Sequence, residues 1–384
     1  LDVYLLDEGE GTLIDMNRNE SHILTFAEGE ETKGITIYTT ANRPRRILEI
    51  CRNHSDLDAA VNDLIARNSK LAKKRRIGIS NEGRDIDALK LSGDVKESDD
   101  PLKPDILFIA NMHGYECEGM EALLHAAETL VREYNEEKPL ARRIMDNVEI
   151  WFVPSVNPDG FEYAKSGDGV NSSRWRTNRR EYQSSSDKSL YGVDINRNFG
   201  YSFGIFNRYD DEESYHWREN LDENRFKTLV IDTYADANKA LPMKFRGREE
   251  WSEPETRAVR DLVQGLGKQL RVFVDYHARE HELAKEEAIR YPWADRKSAP
   301  NDKAQLEHIA QTLSEVVKDY HLSVSEGQDK GIYSVDQSVY KYDDNGRKIR
   351  GGMSQDWVYD RARIPAYVFE LGDVKWLEDA NEES

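Results

Sequence analysis

Four short apolar segments of this chain each end beside a residue that can bind a metal or move a proton. They are 106–112 before His113, 148–153 before the polar segment 154–160, 271–276 before His277, and 364–369 before Glu370. Short apolar runs rich in Val, Ile and Phe predict buried strands. Because ligands gather beyond the carboxyl ends of the strands in open α/β sheets, we expect these residues to lie at one edge of a sheet.

Helical periodicity and turn residues predict the remaining elements. Apolar spacing predicts helices over 56–70, 118–134, 255–270 and 302–320, and a hairpin over 76–92 with its turn at 81–83. The polar, turn-rich segments 166–222 and 334–353 predict loops. Alternating strands and helices predict an α/β fold, a three-layer α/β/α domain over 56–384 with a mixed, mostly parallel sheet.

The first 55 residues differ from the rest. They are acidic and carry short alternating runs such as 34–40, which predicts a strand. We therefore expect residues 1–55 to form an N-terminal extension that is rich in β-structure.

The residues at the predicted strand ends match a catalytic zinc site. His113, Glu116 and His277 would hold one zinc ion, and Glu370 would be left free as a base. The pattern His-x-x-Glu alone is weak, because it occurs at His113/Glu116, His125/Glu128, His216/Glu219 and His277/Glu280. Only the first and last of these histidines follow apolar strands, and His281 is an alternative to His277 as a ligand. The set predicts a zinc hydrolase.

Charge excludes one class of partner. The 384 residues include 73 acidic and 54 basic side chains, for a net charge of −19. Nucleic-acid binding needs a basic face, so no nucleic-acid partner is expected. No apolar run approaches the ~20 residues of a membrane span, so no membrane-spanning segment is expected.

The two cysteines, Cys51 and Cys117, do not amount to a disulfide framework. Cys117 directly follows the proposed ligand Glu116. We expect it to be a small buried residue, with a role as ligand or nucleophile as the alternative.

Seven short motifs come in an order that resembles the zinc metallocarboxypeptidases of the carboxypeptidase A/B family. They are His113-Gly-Tyr-Glu116, Asn157-Pro-Asp-Gly160, Arg174-Trp-Arg176, Asp194-Ile-Asn-Arg-Asn198, His277, Asp356-Trp357 and Phe369-Glu-Leu371. The resemblance covers roughly residues 60–372.

The resemblance implies a role for each site residue. His113, Glu116 and His277 would be the zinc ligands, and Glu370 the general base. Arg176 would stabilise the oxyanion, and Asn196 and Arg197 would hold the terminal carboxylate of the substrate. Tyr342, with Tyr340 as the alternative, would cap that carboxylate. Gln355 would lie on the floor of the terminal side-chain pocket; because an amide is neutral, we expect a neutral terminal residue, unless Arg279 or Arg350 reaches in and favours an acidic one.

The chain departs from the digestive members of that family in several places. Tyr115, Ser173 and Arg279 stand where those members usually carry Arg, Arg and Tyr. The chain also ends fourteen residues after Glu370, where the family continues into a closing helix. Either the chain is truncated, or residues 1–55 cover the exposed sheet face.

The function expected from the sequence is zinc-dependent hydrolysis of the C-terminal peptide bond of a peptide or protein. A zinc amidase or endopeptidase acting on peptidoglycan stem peptides is the first alternative, and a catalytically dead binding protein is the second. We expect a secreted or periplasmic location, with the cytoplasm as the alternative.

Overall fold

The structure is a computed structural model. It describes residues 51–96, 100–167, 174–183, 189–204, 245–278, 288–296, 298–324, 333–338, 340–342, 346–348 and 350–371, with two short strands at 12–14 and 23–25. The chain divides into two compact units, one of Leu1–Ile50 with Val374–Ser384 and one of Cys51–Asp373. The predicted strand 34–40 lies outside the described residues, and the role of residues 1–55 stays a prediction.

Seven helices and fourteen strands occur within the described ranges. The helices are α1 His54–Arg67, α2 Glu118–Asn135, α3 Pro139–Asn147, α4 Pro158–Ser166, α5 Pro254–Leu266, α6 Lys303–Val324 and α7 Ser354–Ala362. The strands are β1 Thr12–Ile14, β2 Ile23–Thr25, β3 Ala72–Ile79, β4 Asp85–Leu91, β5 Asp105–Ala110, β6 Glu149–Val153, β7 Glu181–Gln183, β8 Ser189–Tyr191, β9 Leu270–Ala278, β10 Ala288–Tyr291, β11 Ser334–Gln337, β12 Tyr340–Tyr342, β13 Gly346–Lys348 and β14 Ala366–Leu371.

Local signals in the sequence explain where the predicted helices begin. The Asn53 side chain accepts a hydrogen bond from the backbone N–H of Asp56 and so caps α1. Proline occupies the first turn of α3, α4 and α5, where its missing N–H costs nothing. The predicted hairpin is confirmed as β3 and β4, which pair antiparallel around the turn at 81–83.

The central sheet has eight strands in the order β11-β10-β14-β9-β5-β6-β4-β3. The pairs β11–β10, β14–β9, β9–β5 and β5–β6 are parallel, and the other three pairs are antiparallel. The prediction of a mixed, mostly parallel sheet is confirmed. Strands β14, β9, β5 and β6 all end at the same edge, which is where the four apolar segments were expected to place their polar residues.

Helices cover both faces of this sheet. On one face, α2 packs so closely that a Cβ on Gly119 would lie 2.8 Å from the Cβ of Tyr276. On the same face, Tyr367 Oη donates to the carbonyl of Leu306 in α6. Residues that neighbour Tyr276 along β9 point the other way, and there Ser354 Oγ of α7 donates to Asp275 Oδ2 at 2.5 Å. The arrangement is therefore three-layered, α/β/α.

Two segments predicted as loops contain strands instead. Residues 334–337 form β11, which pairs in parallel with β10 at the edge of the main sheet, and β12 and β13 form a small hairpin. Within 166–222, β7 and β8 pair antiparallel. Segments of three or four mostly polar residues are too short to show the alternation that predicts a strand. Their strand conformation depends on backbone pairing with a neighbouring strand.

Candidate metal centre and active site

Three buried side chains converge at the carboxyl edge of the sheet. Glu116 lies between two imidazoles, with Oε1 2.8 Å from Nδ1 of His113 and Oε2 2.8 Å from Nδ1 of His277. One ligand atom from each residue lies within 4.8 Å of the others, and each residue is only 3–4% exposed. The predicted ligand set is therefore brought together, and it can hold one metal ion.

Two aspartates orient the imidazoles from behind. Asp194 Oδ1 lies 3.3 Å from Nε2 of His113, an ion-pair distance without the alignment of a hydrogen bond. Asp275 Oδ2 lies 3.1 Å from Nε2 of His277. A carboxylate behind each ring favours a proton on Nε2 and leaves Nδ1 as the ligand atom.

Charge on neighbouring groups holds this cluster in its ionic form. Burial would raise the pKa of Glu116, but the facing imidazoles outweigh burial and hold that pKa well below its ordinary value. Burial would lower the pKa of His277, but Asp275 and Glu116 outweigh burial and raise it well above 6.5. A metal at Nδ1 would take the place of the proton that these carboxylates attract.

Asn111 holds the loop that carries His113 and Glu116. Its φ is +54°, in the left-handed region that Asn tolerates better than most residues. Its Nδ2 donates to the carbonyls of His113 and Glu116, both at 3.1 Å, and its Oδ1 accepts from Ser155 Oγ at 2.8 Å. The two ligands on this loop are thus positioned by one side chain at the end of β5.

The same loop is tied to the segment that carries Arg176. Gly114 N donates to the carbonyl of Arg176 at 3.0 Å. A Cβ on Gly114 would lie 2.5 Å from the backbone of Gly160, so only glycine fits there. Asn157 Nδ2 bridges the carbonyls of Met112 and Thr177 at 3.1 and 3.2 Å. The motif at 157–160 is therefore a scaffold that joins the loops.

Arg176 lies beside the metal ligands. Its Nε donates to Asp194 Oδ2 at 3.0 Å, and Nη1 lies 3.8 Å from Glu116 Oε1. Burial would lower the pKa of Arg176, but Asp194 raises it above its ordinary value, so the guanidinium stays charged. Its side chain keeps 16% of its surface exposed, so it can still reach a ligand.

Asn196 and Arg197 lie in a short turn on the same side of the site. Asn196 Nδ2 approaches His277 Nε2 at 3.1 Å, and its Oδ1 accepts from Ser354 N at 2.9 Å. Arg197 is 2% exposed, and a Cβ on Gly352 would lie 2.1 Å from its carbonyl oxygen. Burial would raise the pKa of Asp194, but the charges of Arg176 and Arg197 outweigh burial and hold it well below its ordinary range. These residues form a buried, positively charged wall next to the ligands.

Glu370 lies on β14 directly opposite His277 on β9, because the two residues are register partners in a parallel pair. Its side chain is 12% exposed, and Oε1 lies 3.5 Å from Nε of Arg290 on β10. The carboxylate predicted as the base therefore stands beside the metal ligands and is not one of them.

The remaining predicted residues are placed only in part. Gln355 is fully buried in α7, and its Nε2 donates to Ser338 Oγ at 3.3 Å. Tyr342 and Tyr340 lie in β12, but their side chains are outside the described residues. Ser173, Arg279, Glu280 and His281 also lie outside the described residues.

Cys117 is buried, as expected, but the expectation of two unpaired cysteines is wrong. Cys51 and Cys117 form a disulfide across a sequence separation of 66 residues. Nothing local in the sequence shows whether two cysteines so far apart in the chain lie close enough to pair. The bridge attaches the segment before α1 to the first turn of α2, one residue after Glu116. Arg52 N also donates to Glu121 Oε1 at 2.6 Å in that turn.

Sequence reasoning missed the residues that support the ligands. Asn111, Asp275 and Arg290 had no assigned role, and Asp194 was only part of a motif. A polar residue at the end of an apolar run, such as Asn111, is a usable signal. Asp275 lies two residues before His277 on the same strand, which places both side chains on one face.

Comparison with known proteins agrees with this geometry. The family model described as zinc carboxypeptidase matches residues 57–381. The chain is 27% identical over 260 residues to the carboxypeptidase N catalytic chain of Rattus norvegicus, covering 68% of this chain and 50% of that protein. It is 25% identical over 323 residues to carboxypeptidase B of Astacus astacus, covering 84% and 86%.

A solved structure, carboxypeptidase A from Helicoverpa armigera, superimposes with a TM-score of 0.62 at 22% identity, covering 85% of this chain and 65% of that one. At that identity the likeness concerns the fold. The chain spans half or less of the length of several relatives that it matches.

Proposed function

Because the chain belongs to the zinc carboxypeptidase family, we propose that it hydrolyses the C-terminal peptide bond of peptides or proteins with one bound zinc ion. The observation that supports this most strongly is the pairing of a buried His-Glu-His group with a separate carboxylate. Glu370 is the register partner of His277, yet it is not part of the ligand group.

The donor set fits zinc. Two imidazole nitrogens and a carboxylate are the ligands that catalytic zinc sites use, with a position left open for water or substrate. The aspartates behind both rings complete the pattern of outer contacts that such ligands require. When bound, zinc would supply Lewis-acid polarisation of a carbonyl and a coordinated water of lowered pKa.

The protein side chains have distinct tasks in this proposal. Glu370 accepts a proton from water and returns it to the leaving amine. Arg176, charged and partly exposed, stabilises the negative charge that develops on the carbonyl oxygen. Asn196 and Arg197 hold the terminal carboxylate, since a guanidinium can grip a carboxylate through two parallel hydrogen bonds. Tyr342 is proposed as the cap on that carboxylate.

The test compares a free-acid peptide with the same peptide amidated at its C-terminus, using the zinc-loaded full chain. We expect hydrolysis of the free acid and little hydrolysis of the amide. Equal cleavage of both would contradict the carboxylate-binding role of Asn196 and Arg197 and would favour an amidase or endopeptidase.

Metal analysis tests the ligand assignment separately. His113→Ala and His277→Ala should each lose most of the zinc. His125→Ala is a matched control, because His125 has the same spacing to a glutamate but is exposed on α2. Full zinc retention in either ligand variant would refute the assignment.

We further infer a secreted or periplasmic location. The buried Cys51–Cys117 disulfide supports it, because such bonds persist mainly in oxidising compartments. Along the described stretches, no helix is both long and apolar enough to cross a bilayer.

A further inference from the structure

Asn178 lies two residues after Arg176 and fixes the segment that carries it. Asn178 is fully buried. Its N donates to the carbonyl of Val193 at 3.0 Å, and its Oδ1 accepts from Val193 N at 2.9 Å. Val193 directly precedes Asp194, whose Oδ2 accepts from Arg176 Nε at 3.0 Å. Asn178 therefore joins the two segments whose side chains form the pair of Arg176 and Asp194.

Two glutamates at the start of α5 hold the other end of the Asn178 amide. Glu253 and Glu255 are fully buried, and their Oε2 atoms accept from Asn178 Nδ2 at 2.7 and 3.0 Å, respectively. Their Oε1 atoms accept from Ser252 Oγ at 2.8 Å and from Asn81 Nδ2 at 3.3 Å, respectively. The segment that contains Asn178 is therefore anchored to the first turn of a helix that packs in the core.

A side-chain amide matches the donors and acceptors that this position requires. The two glutamates need donors, whereas the backbone N–H groups of Val193 and Arg180 need an acceptor, and Arg180 N donates to Asn178 Oδ1 at 3.1 Å. Asparagine offers two N–H donors and an oxygen with two lone pairs, and all four are used here. Aspartate has the same shape, but it would turn an acceptor towards two carboxyl groups.

The charge of this glutamate pair depends on pH. Burial and the charge of Glu253 raise the pKa of Glu255 to about 8, so Glu255 is mostly protonated at pH 7. Asp159 of α4 also faces Glu255, but it is paired with Arg84 Nη1 at 2.7 Å. The other charged or titratable groups around the pair are Glu82, Arg180, Tyr182, Arg248, Glu249 and Arg257. Above about pH 8, Glu255 ionises, and its repulsion from Glu253 then acts on the amide that is bonded to both.

We propose that Asn178, held by Glu253 and Glu255, is a positioning residue that keeps the guanidinium of Arg176 directed at the carbonyl oxygen of the scissile bond. The inference rests on the proposed function and concerns the orientation of one of its groups. A donor stabilises an oxyanion best when it is fixed before the charge develops, because a loosely held donor must be reordered during the reaction. Asp194 holds Arg176 through Nε, and Asn178 fixes the segments of both residues. Loss of the contacts of Asn178 should therefore lower kcat and leave substrate binding nearly unchanged.

The experiment measures kcat and KM of the zinc-loaded full chain on one free-acid peptide. Asn178→Asp keeps the size of the side chain and the acceptor for the backbone, but it removes the donor to the glutamates. We expect kcat to fall at least about tenfold, with KM within about twofold and zinc retained, because a small misplacement of a catalytic group is costly. Leu266→Ala is the matched control, because it opens a cavity at the far end of the same helix. It should lower the melting temperature and keep kcat within about twofold.

A double-mutant cycle with Arg176→Ala separates positioning from a general effect on the fold. In the Arg176→Ala background, Asn178→Asp should lower kcat by less than about twofold, because the group that it positions is absent. An equal fall in both backgrounds, or a change in KM alone, would overturn the inference and leave the carboxypeptidase function intact. Failure of the wild type to cleave any free-acid peptide would instead overturn the proposed function, and this inference with it.

If Asn178→Asp does not fold, the pH profile of kcat tests the same contact. Glu255→Gln has the shape of the protonated glutamate and cannot ionise. The kcat of the wild type should decline above about pH 8, where Glu255 ionises, and at about pH 9 the decline should be at least about twofold smaller in Glu255→Gln. Superimposable profiles of the two proteins would overturn the inference.

Discussion

Removing the Cys51–Cys117 disulfide should destabilise the protein by an amount that its loop length predicts. The double variant Cys51→Ala/Cys117→Ala deletes the bridge without leaving a buried hydroxyl or a reactive thiol, since both residues are buried. A cross-link restricts the unfolded chain, and the loss of that restriction favours unfolding.

The magnitude follows from the 66-residue separation of the two cysteines. The chain-entropy relation for a loop of this length gives about 4 kcal/mol at 25 °C. At about 2 °C per kcal/mol for a domain of this size, the melting temperature should fall by about 8 °C. The zinc-loaded and zinc-free proteins should both show the fall, because the effect arises in the unfolded chain.

Thermal unfolding of the wild type and the double variant, each with and without a reductant, checks this. The reductant should lower the melting temperature of the wild type to that of the variant and leave the variant unchanged. Equal stability of oxidised wild type and variant would refute the reasoning. A fall confined to the zinc-loaded form would show instead that the bridge acts by positioning Glu116.

Three further predictions concern single residues. Glu370→Gln should fold, retain zinc and lose at least ~10² in kcat, the lower end of what a positioned base supplies, whereas near-normal turnover would place the base elsewhere. Arg197→Ala should lower kcat/KM on free-acid peptides by a factor equivalent to ~2–5 kcal/mol, because it leaves a bound carboxylate without its buried partner. The loss should be absent for an amidated peptide. Burial and the neighbouring Glu253 raise the pKa of Glu255 from 4.5 to about 8, so the native state keeps a proton that the unfolded chain releases. The wild type should therefore lose up to a few kcal/mol of stability as pH rises from about 4.5 to about 8, and Glu255→Gln should lose less, because only the contribution of Asp356, whose pKa burial also raises to about 8, remains. Urea denaturation at pH 5 and pH 8.5 measures this, and a parallel loss in both proteins would contradict it.

The sequence by itself predicted the group of residues that the structure brings together as the candidate metal centre. Strands β5, β9 and β14 are buried, so each is an apolar run in the sequence. The polar residue at or just after the end of each run lies at the carboxyl edge of the sheet, where α/β proteins bind their ligands. Because this rule needs only the order of apolar and polar positions, His113, His277 and Glu370 could be assigned before their contacts were known.

Only the tertiary structure decided which residues support that centre. Strand order brings β10 beside β14, although their first residues, Ala288 and Ala366, are 78 positions apart in the sequence.

 The two strands pair antiparallel. This pairing places Arg290 beside Glu370.

The same reason applies to the other contacts that sequence reasoning missed. Cys51 meets Cys117, and Asp194 meets His113, across long stretches of chain. Local periodicity reports which side of an element is buried, but it carries no information on which elements become neighbours. Strand order and loop closure decide which elements become neighbours. They determined the disulfide, the positions of Asp194 and Asp275 beside the two imidazoles, and the contact between Arg290 and Glu370.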